Sequence, residues 1–524
     1  MWSIWRQPVT KLLHAPDPDT DRDRELRTDH LLADIRGRSI RGGVVMFAGQ
    51  ALRLVIQFAA VIVLSRLLPP AAFGLIAMVA AITAVLDLLK ELGLSAATLQ
   101  RSEITHDQVS ALFWINTGAG IAITVGLLAA APLIAGFYGQ PDLVAVTRAL
   151  AFVFLIGGLG NQHWALLRRQ MRFTTITTIE TGAEFIAFLV AISAALAGAG
   201  FWALVAQRVT APLLLLIGSW TCCRWRPSWP KRTVGVREMF DFGMSYTIGN
   251  IGVAATRSLD QILIGWLWGP GMLGLYERAT RLVQVPLNNI NAPVYAVAMP
   301  TLSRIIDQPD RYRRGFGEIM EKLAMVTMPA GIVAATMADW VVRILLGTGW
   351  EDATTIIGAF ALIAAYQPTI ATVMLLYMTH GRSREMLVTM LLDSAITVVA
   401  ILASVRFGGT SVACAVAASG LFLRMPLRCF MATRNSPVGL GDLLAAIGPS
   451  MVAAVAGGAA ALAARILLRP YGFSDPVTFA LVAMIAVVTV ILTFAALPRS
   501  RRTLLSVTHL ARFASGRDPS PVQS

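Results

Sequence analysis

Apolar stretches of about 20 residues return again and again along this chain, and that recurrence admits few folds. Inside hydrocarbon every backbone polar group must be satisfied within the chain, so a span is a helix or a strand of a closed barrel. Stretches this long and this continuous are helical. Spans are expected at 43–68, 72–96, 109–135, 147–167, 174–198, 200–221, 241–267, 272–297, 317–346, 354–378, 385–405, 408–430, 441–468 and 475–497, about fourteen in all. The reading is an all-α, polytopic membrane protein. Composition agrees: 14% of residues are charged, against about 25% in soluble domains.

The connections sort by charge. Even-numbered spans are followed by arginine-rich segments such as Arg168, Arg169 and Arg172, Arg224 to Arg237, and Arg304 to Arg314. Odd-numbered spans are followed by scattered single arginines such as Arg66, Arg148 and Arg406. The positive-inside rule then puts both ends of this multi-pass membrane protein in the cytoplasm. It also accounts for the excess of 44 Lys and Arg over 30 Asp and Glu, so no nucleic-acid partner is expected.

Residues 1–42 form a polar tail without an apolar region and small-residue cleavage site, so no cleavable signal peptide is expected. Its "DPDTDRD" repeats the Asp-x-Asp spacing of metal-bound sugar nucleotide sites, but about 40 polar residues cannot fold the α/β domain such a site needs. An N-lobe (43–221), a basic cytoplasmic linker (222–240), a C-lobe (241–430), two additional spans (431–497) and a basic tail (498–524) follow. Cys222, Cys223, Cys414 and Cys429 lack zinc-like spacing with histidine and read as reduced thiols.

The chain also repeats. A shift of 200 residues lays Gly49-Gln50 on Gly249-Asn250, Leu67 on Leu267, Pro70 on Pro270 and Gly74-Leu75 on Gly274-Leu275. Six spans per repeat is an even number, so both copies enter the membrane in the same direction. They are expected as two parallel six-helix repeats about an axis along the membrane normal, with a site between them. Spans thirteen and fourteen have no counterpart.

The run "LSRLLPPAAFG", the Asp-bearing helix after it and "ELGLSAATLQR" resemble the opening helix pair of the bacterial polysaccharide flippases, the Wzx-type branch of the multidrug/oligosaccharidyl-lipid/polysaccharide superfamily. "ALLRRQMRF", "LDQILIGWLWGPGMLGLYERATRL", "AMPTLSRI" and "GTGWEDATTII" extend the resemblance over roughly residues 36–440. It implies transport of undecaprenyl-pyrophosphate-linked oligosaccharide units to the outer leaflet by alternating access of two lobes. Membrane lipids, a polysaccharide polymerase and export proteins are the expected partners.

Such a cargo has an anionic head, a polar glycan and an apolar tail, so its carrier needs buried cations and amides. Gln50, Arg53 and Gln57 share one face of span one, and Asn250, Arg257 and Gln261 share the matching face of span seven, beside Asp260. In span eight Glu277, Arg278 and Arg281 precede Asn288, Asn289 and Asn291, near Pro286 and Pro293. Arg53, Arg257, Gln57, Asn250, Arg278 and Arg281 are the expected substrate-binding residues, with Arg53 and Arg257 as cavity cations. Structural pairing of Glu277 with Arg281 stands beside that reading. Glu184, Asp87 and Asp260 are the candidate ion-coupling carboxylates. Glu184 lies at the depth of Arg208 and could pair with it, Asp87 could pair with Lys90, and Asp393 is a lonelier candidate of the same kind. Lys90 and Glu91 snorkel at a span end. Trp202, Trp220, Trp225 and Trp266 read as an interfacial belt.

Phosphate-cradling, zinc-protease and nucleophile-elbow motifs are missing, and the six histidines are dispersed, so neither an enzyme nor a metal or cofactor site is expected. A drug/cation antiporter of the same superfamily and a membrane glycan polymerase or ligase are the alternatives. Short outward connections argue against the latter. Topology can be measured: single cysteines in the Arg224–Arg237 loop and in the Trp350–Asp352 loop should react with a membrane-impermeant thiol reagent on intact cells only in the second. Labelling of the first reverses the orientation.

Overall fold

Local sequence sets where the helices start and stop. The structure, a computed structural model, describes residues 35–91, 98, 104–229, 236–471, 474–497 and 501, the side chains of 35–42, 44, 88–91, 236–257, 288–293 and 296 excepted. Helix α1 (Ile35–Leu67) ends at the Pro69-Pro70 turn, and α2 (Pro70–Glu91) starts on a proline, whose fixed φ and missing N–H suit a first helical position. Helix α3 (His106–Tyr138) opens with a reciprocal cap between Thr105 and Gln108 and closes at Gly139, at φ 65°. Then come α4 (Asp142–Arg169), α5 (Phe173–Leu196) and α6 (Trp202–Cys222). Helix α7 (Val236–Ser303) is 68 residues long and breaks at Gly269, whose φ of 76° with ψ of −176° is open only to glycine. The break makes two arms, 236–268 and 270–303.

The second half continues with α8 (Pro309–Thr336), α9 (Ala338–Val341) running into a π turn (Val342–Leu346), α10 (Ala353–Thr379) and α11 (Ser383–Ser404). Helix α12 (Gly409–Ser419) passes through a second π turn (Gly420–Arg424) into α13 (Met425–Thr433), before α14 (Leu440–Leu468) and α15 (Asp475–Ala496). Among the described residues there is no strand, and twelve helices are long and apolar enough to cross a membrane. These coincide with expected spans one to six and nine to fourteen; expected spans seven and eight fall on the two arms of α7.

The halves meet where the 200-residue shift predicts equivalence. A Cβ on Gly74 would stand 1.8 Å from the Pro270 carbonyl oxygen, and one on Gly274 would stand 1.8 Å from that of Pro70. The start of α2 and the start of the second α7 arm therefore cross backbone to backbone, each through the other's glycine. Two further reciprocal contacts flank the crossing. The Trp350 indole, from the connection before α10, donates to the Ser65 carbonyl (2.8 Å) and packs on Phe73. Tyr138, from the end of α3, lies against Gly265, and Phe137 stacks on Trp266. Arg66 also donates to the Ile344 carbonyl. One apolar cluster runs through both halves, from Leu64 and Met78 to Ile264, Tyr276 and Ile356.

Helices α14 and α15 pack outside this arrangement. Gly457 and Gly458 let α14 close on Val333 and Ile332 of α8, and Arg465 forks Asp339 at 2.9 and 2.6 Å. One aromatic departs from expectation. Trp225 is 1% exposed, not interfacial. Its indole donates to His106 (3.1 Å) and its ring abuts Phe113 and His163, because the chain after α6 folds back over that end of the first half.

The crossing predicts a stability difference. Gly74→Ala and Gly274→Ala force a methyl into backbone and should each cost about 1–3 kcal/mol. Gly118→Ala, which meets nothing within 4 Å, should be neutral or stabilise by about 0.4–1 kcal/mol. Thermal unfolding of the detergent-solubilised variants measures it.

Candidate functional site

Helices α1 and α5 run side by side in a register that joins their polar residues rung by rung. Arg53 pairs with Glu180. One turn along, the Gln57 amide donates to both carboxylate oxygens of Glu184, at 3.3 Å each. Arg53 also donates to Gln50 at 2.5 Å. The expected unpaired cavity cation is thus a paired one, because α5 supplies an acid that Arg53's own helix lacks. Glu184 sits on Gln57, the partner that α1 brings to it.

Beyond the second rung opens a cavity of about 480 Å³. Helices α1, α2, α5 and α6 form one side through Gln57, Phe73, Glu184, Gln207 and Arg208. The second arm of α7 crosses from the other half to supply Glu277, Arg278 and Arg281. Arg278 is 7% exposed, and its guanidinium lies over the Phe73 ring, 3.6 Å from the centroid. That stacking offsets part of the desolvation of a buried cation. Glu277 pairs with Arg281 as the i, i+4 spacing anticipates, and stands 3.7 Å from Arg278. One carboxylate thereby holds two guanidiniums that would otherwise repel. Arg208 feels Arg281, Glu277 and Asp87 electrostatically.

Three arginines against two acids, Glu184 and Glu277, leave this lining with one excess positive charge. Guanidiniums here offer planar forks of donors that stay ionised, suited to carboxylate or phosphate oxygens. Arg208, which the sequence allows as a partner of Glu184 at the same depth, is not among the expected binding residues. Its signal was available: a cation deep in a span, one residue after Gln207.

The remaining expected residues scatter. Asp87 is exposed on α2. Asp260 faces another cavity inside the second half, where it accepts from the Tyr276 hydroxyl (2.6 Å) and the Gln261 backbone N–H (2.8 Å). Asp393, lonely in sequence, is forked by Arg428 there at 3.0 and 2.6 Å. The side chains of Asn250, Arg257, Lys90, Glu91, Asn288, Asn289 and Asn291 lie outside the described residues, as does the "DPDTDRD" segment.

Membrane-length helices in two halves, crossed at glycines beside a cationic cavity, define a polytopic helical membrane protein of two lobes. The chain belongs to the polysaccharide biosynthesis protein family, whose pattern it matches over residues 63–355, more than half its length. The teichuronic acid biosynthesis protein TuaB of Bacillus subtilis (strain 168) is 29% identical over 283 residues, 54% of this chain and 59% of TuaB. The lipopolysaccharide biosynthesis protein WzxC of Escherichia coli (strain K12) is 26% identical over 296 residues, 55% of this chain and 59% of WzxC. The matched region thus spans somewhat over half the length of these relatives. An inward closed structure of the lipid II flippase MurJ superposes with a TM-score of 0.66 at 11% identity, covering 87% of this chain and 98% of that one. The likeness to MurJ is one of fold.

The Arg53–Glu180 rung makes a thermodynamic prediction. In a double-mutant cycle with Arg53→Ala and Glu180→Ala, the double variant should be less destabilised than the sum of the singles, with a coupling of about 0.5–3 kcal/mol. Additive melting shifts would mean the two side chains act independently.

Proposed function

We propose that this protein carries undecaprenyl-diphosphate-linked oligosaccharide units across the bacterial inner membrane, with both chain ends in the cytoplasm, by alternating access of its two lobes. The convergence of Arg208, Arg278 and Arg281 on one cavity carries the reading. Two arginines belong to α7 and one to α6, so the clamp exists only while the halves are together, and a diphosphate is the part of the cargo that such a clamp would grip. Family membership supports the reading, as do relatives named for teichuronic acid and lipopolysaccharide biosynthesis and the fold shared with a lipid II flippase.

In this reading the glycine crossing closes the outer end, and the cationic cavity loads from the cytoplasm. Of the three candidate coupling carboxylates, Glu184 lines this cavity and is held by a neutral amide, which makes it the one suited to exchange a proton or sodium ion. Arg53 has a secondary role, since Glu180 neutralises it.

The test is surface polysaccharide in a strain lacking its own copy of the gene, with membrane insertion checked by blot. Charged hydrogen bonds contribute about 1.5–3 kcal/mol each, so Arg208→Ala, Arg278→Ala or Arg281→Ala should each lower function about ten- to hundredfold. The Lys variants should lose less, because charge remains and the fork is lost. Full polysaccharide from the triple Ala variant would overturn the diphosphate assignment.

A further inference from the structure

The second polar cavity, about 470 Å³, lies within the C-lobe on the other flank of the second α7 arm. Tyr276, Thr280 and Gln284 of that arm face it, four residues apart, while Glu277, Arg278 and Arg281 face the cationic cavity. Its charges cancel: Asp260 and Asp393 against Arg424 and Arg428. Each is already engaged. Arg428 forks Asp393, Tyr276 donates to Asp260, and Arg424 donates to the Thr397 hydroxyl (3.0 Å) and the Val416 carbonyl (2.6 Å). An ion of either sign finds little net charge here.

What the cavity holds in surplus is unused hydrogen-bonding capacity. The Tyr366 hydroxyl, Gln367 Oε1 and Arg424 Nε are buried without a hydrogen-bond partner among the described residues, and Tyr366 is 6% exposed. Buried polar atoms left in that condition are costly, and each calls for an explanation. Gly420, the first residue of the π turn, sits where a Cβ would meet the Tyr366 hydroxyl at 1.8 Å. Such turns often mark functional positions. Phe360 adds an aromatic ring to the wall, edge-on to Tyr276 at 5.3 Å.

A ligand that fits this set is uncharged, carries several hydroxyls that both donate and accept, and has an apolar ring face. A sugar ring meets all three conditions. Its hydroxyls can donate to Gln367 Oε1, accept from Arg424 Nε–H and do either with Tyr366. We propose that the C-lobe cavity is a carbohydrate subsite that takes a neutral sugar unit of the cargo while the cationic cavity holds the diphosphate. The second clause rests on the carrier function proposed above; sugar binding itself does not. One helix, about 10–12 Å across with its side chains, separates the two sites, a distance that an oligosaccharide of a few units can bridge.

The experiment uses the full chain in detergent micelles. The probe is the reducing oligosaccharide released by mild acid from the source strain's surface polysaccharide, free of lipid and phosphate, and the readout is saturation-transfer NMR. The wild type should transfer saturation to sugar ring protons in a titratable manner. Tyr366→Phe and Gln367→Leu should each weaken that binding about three- to tenfold, the worth of one neutral hydrogen bond. Both variants should melt at the wild-type temperature or above, since each removes an unpartnered buried polar atom. Absence of transfer in the wild type, or titrations that neither variant alters, would overturn the proposal. So would a marked drop in melting temperature for both variants, which would assign these atoms to the fold. Failure of the carrier reading is seen elsewhere, in surface polysaccharide from Arg208→Ala cells, so the two outcomes separate.

Discussion

Everything in this molecule is hung on the crossing of α2 with the second arm of α7. Two helix starts pass within backbone contact because Gly74 and Gly274 present no side chain to Pro270 and Pro70. Without a hydrophobic drive in lipid, helix association depends on such close packing of small residues. The crossing fixes one end of the assembly, and the Trp350–Ser65 and Tyr138–Gly265 contacts seal beside it in reciprocal fashion. From that fixed end α1 leads past the apolar Leu64 to its polar residues, Gln57 and then Arg53, at about 1.5 Å per residue. The cationic cavity lies along this run because the first apolar layers are consumed by the seal.

Electrostatics then decides which charges can live there. A lone guanidinium in a span is expensive, so its partners must come from other helices or from an aromatic face. Arg53 is settled by Glu180, Asp393 by Arg428, and Asp339 by Arg465. Arg278 stacks on Phe73, and Glu277 serves both its arginine neighbours. The cavity between α1, α6 and α7 keeps an excess of cations over acids. That residual charge distinguishes it from the C-lobe cavity, where the same residue types sum to neutrality.

Much of this was legible in the sequence, and the reason is the strength of the local signals. Twenty-residue apolar runs, the Pro69-Pro70 stop, the Glu277–Arg281 spacing and the 200-residue echo of Pro70 and Gly74 each act within one helix or one turn. The site was legible only in part. Arg53 read as free because its acid, Glu180, is 127 residues away, and the register of α1 against α5 is written in packing rather than in pattern. Depth alone allows Glu184 a pairing with Arg208, whereas rotation about the helix axis turns it to Gln57. Trp225 read as interfacial because hydropathy does not report a segment folding back on its own lobe. The family resemblance reached further than the residue reading, since it draws on motifs spread over several helices at once.

The second α7 arm joins these threads. Within one turn it turns Tyr276 and Thr280 to one cavity and Glu277, Arg278 and Arg281 to another, while its first residues lie in the crossing with α2. Among the described residues no other helix contributes to both cavities and to the seal. Gly269 separates its start from the arm before it, because the backbone there leaves the helical conformation. Any change in packing at either face is therefore a change along the one arm whose start forms the crossing with α2.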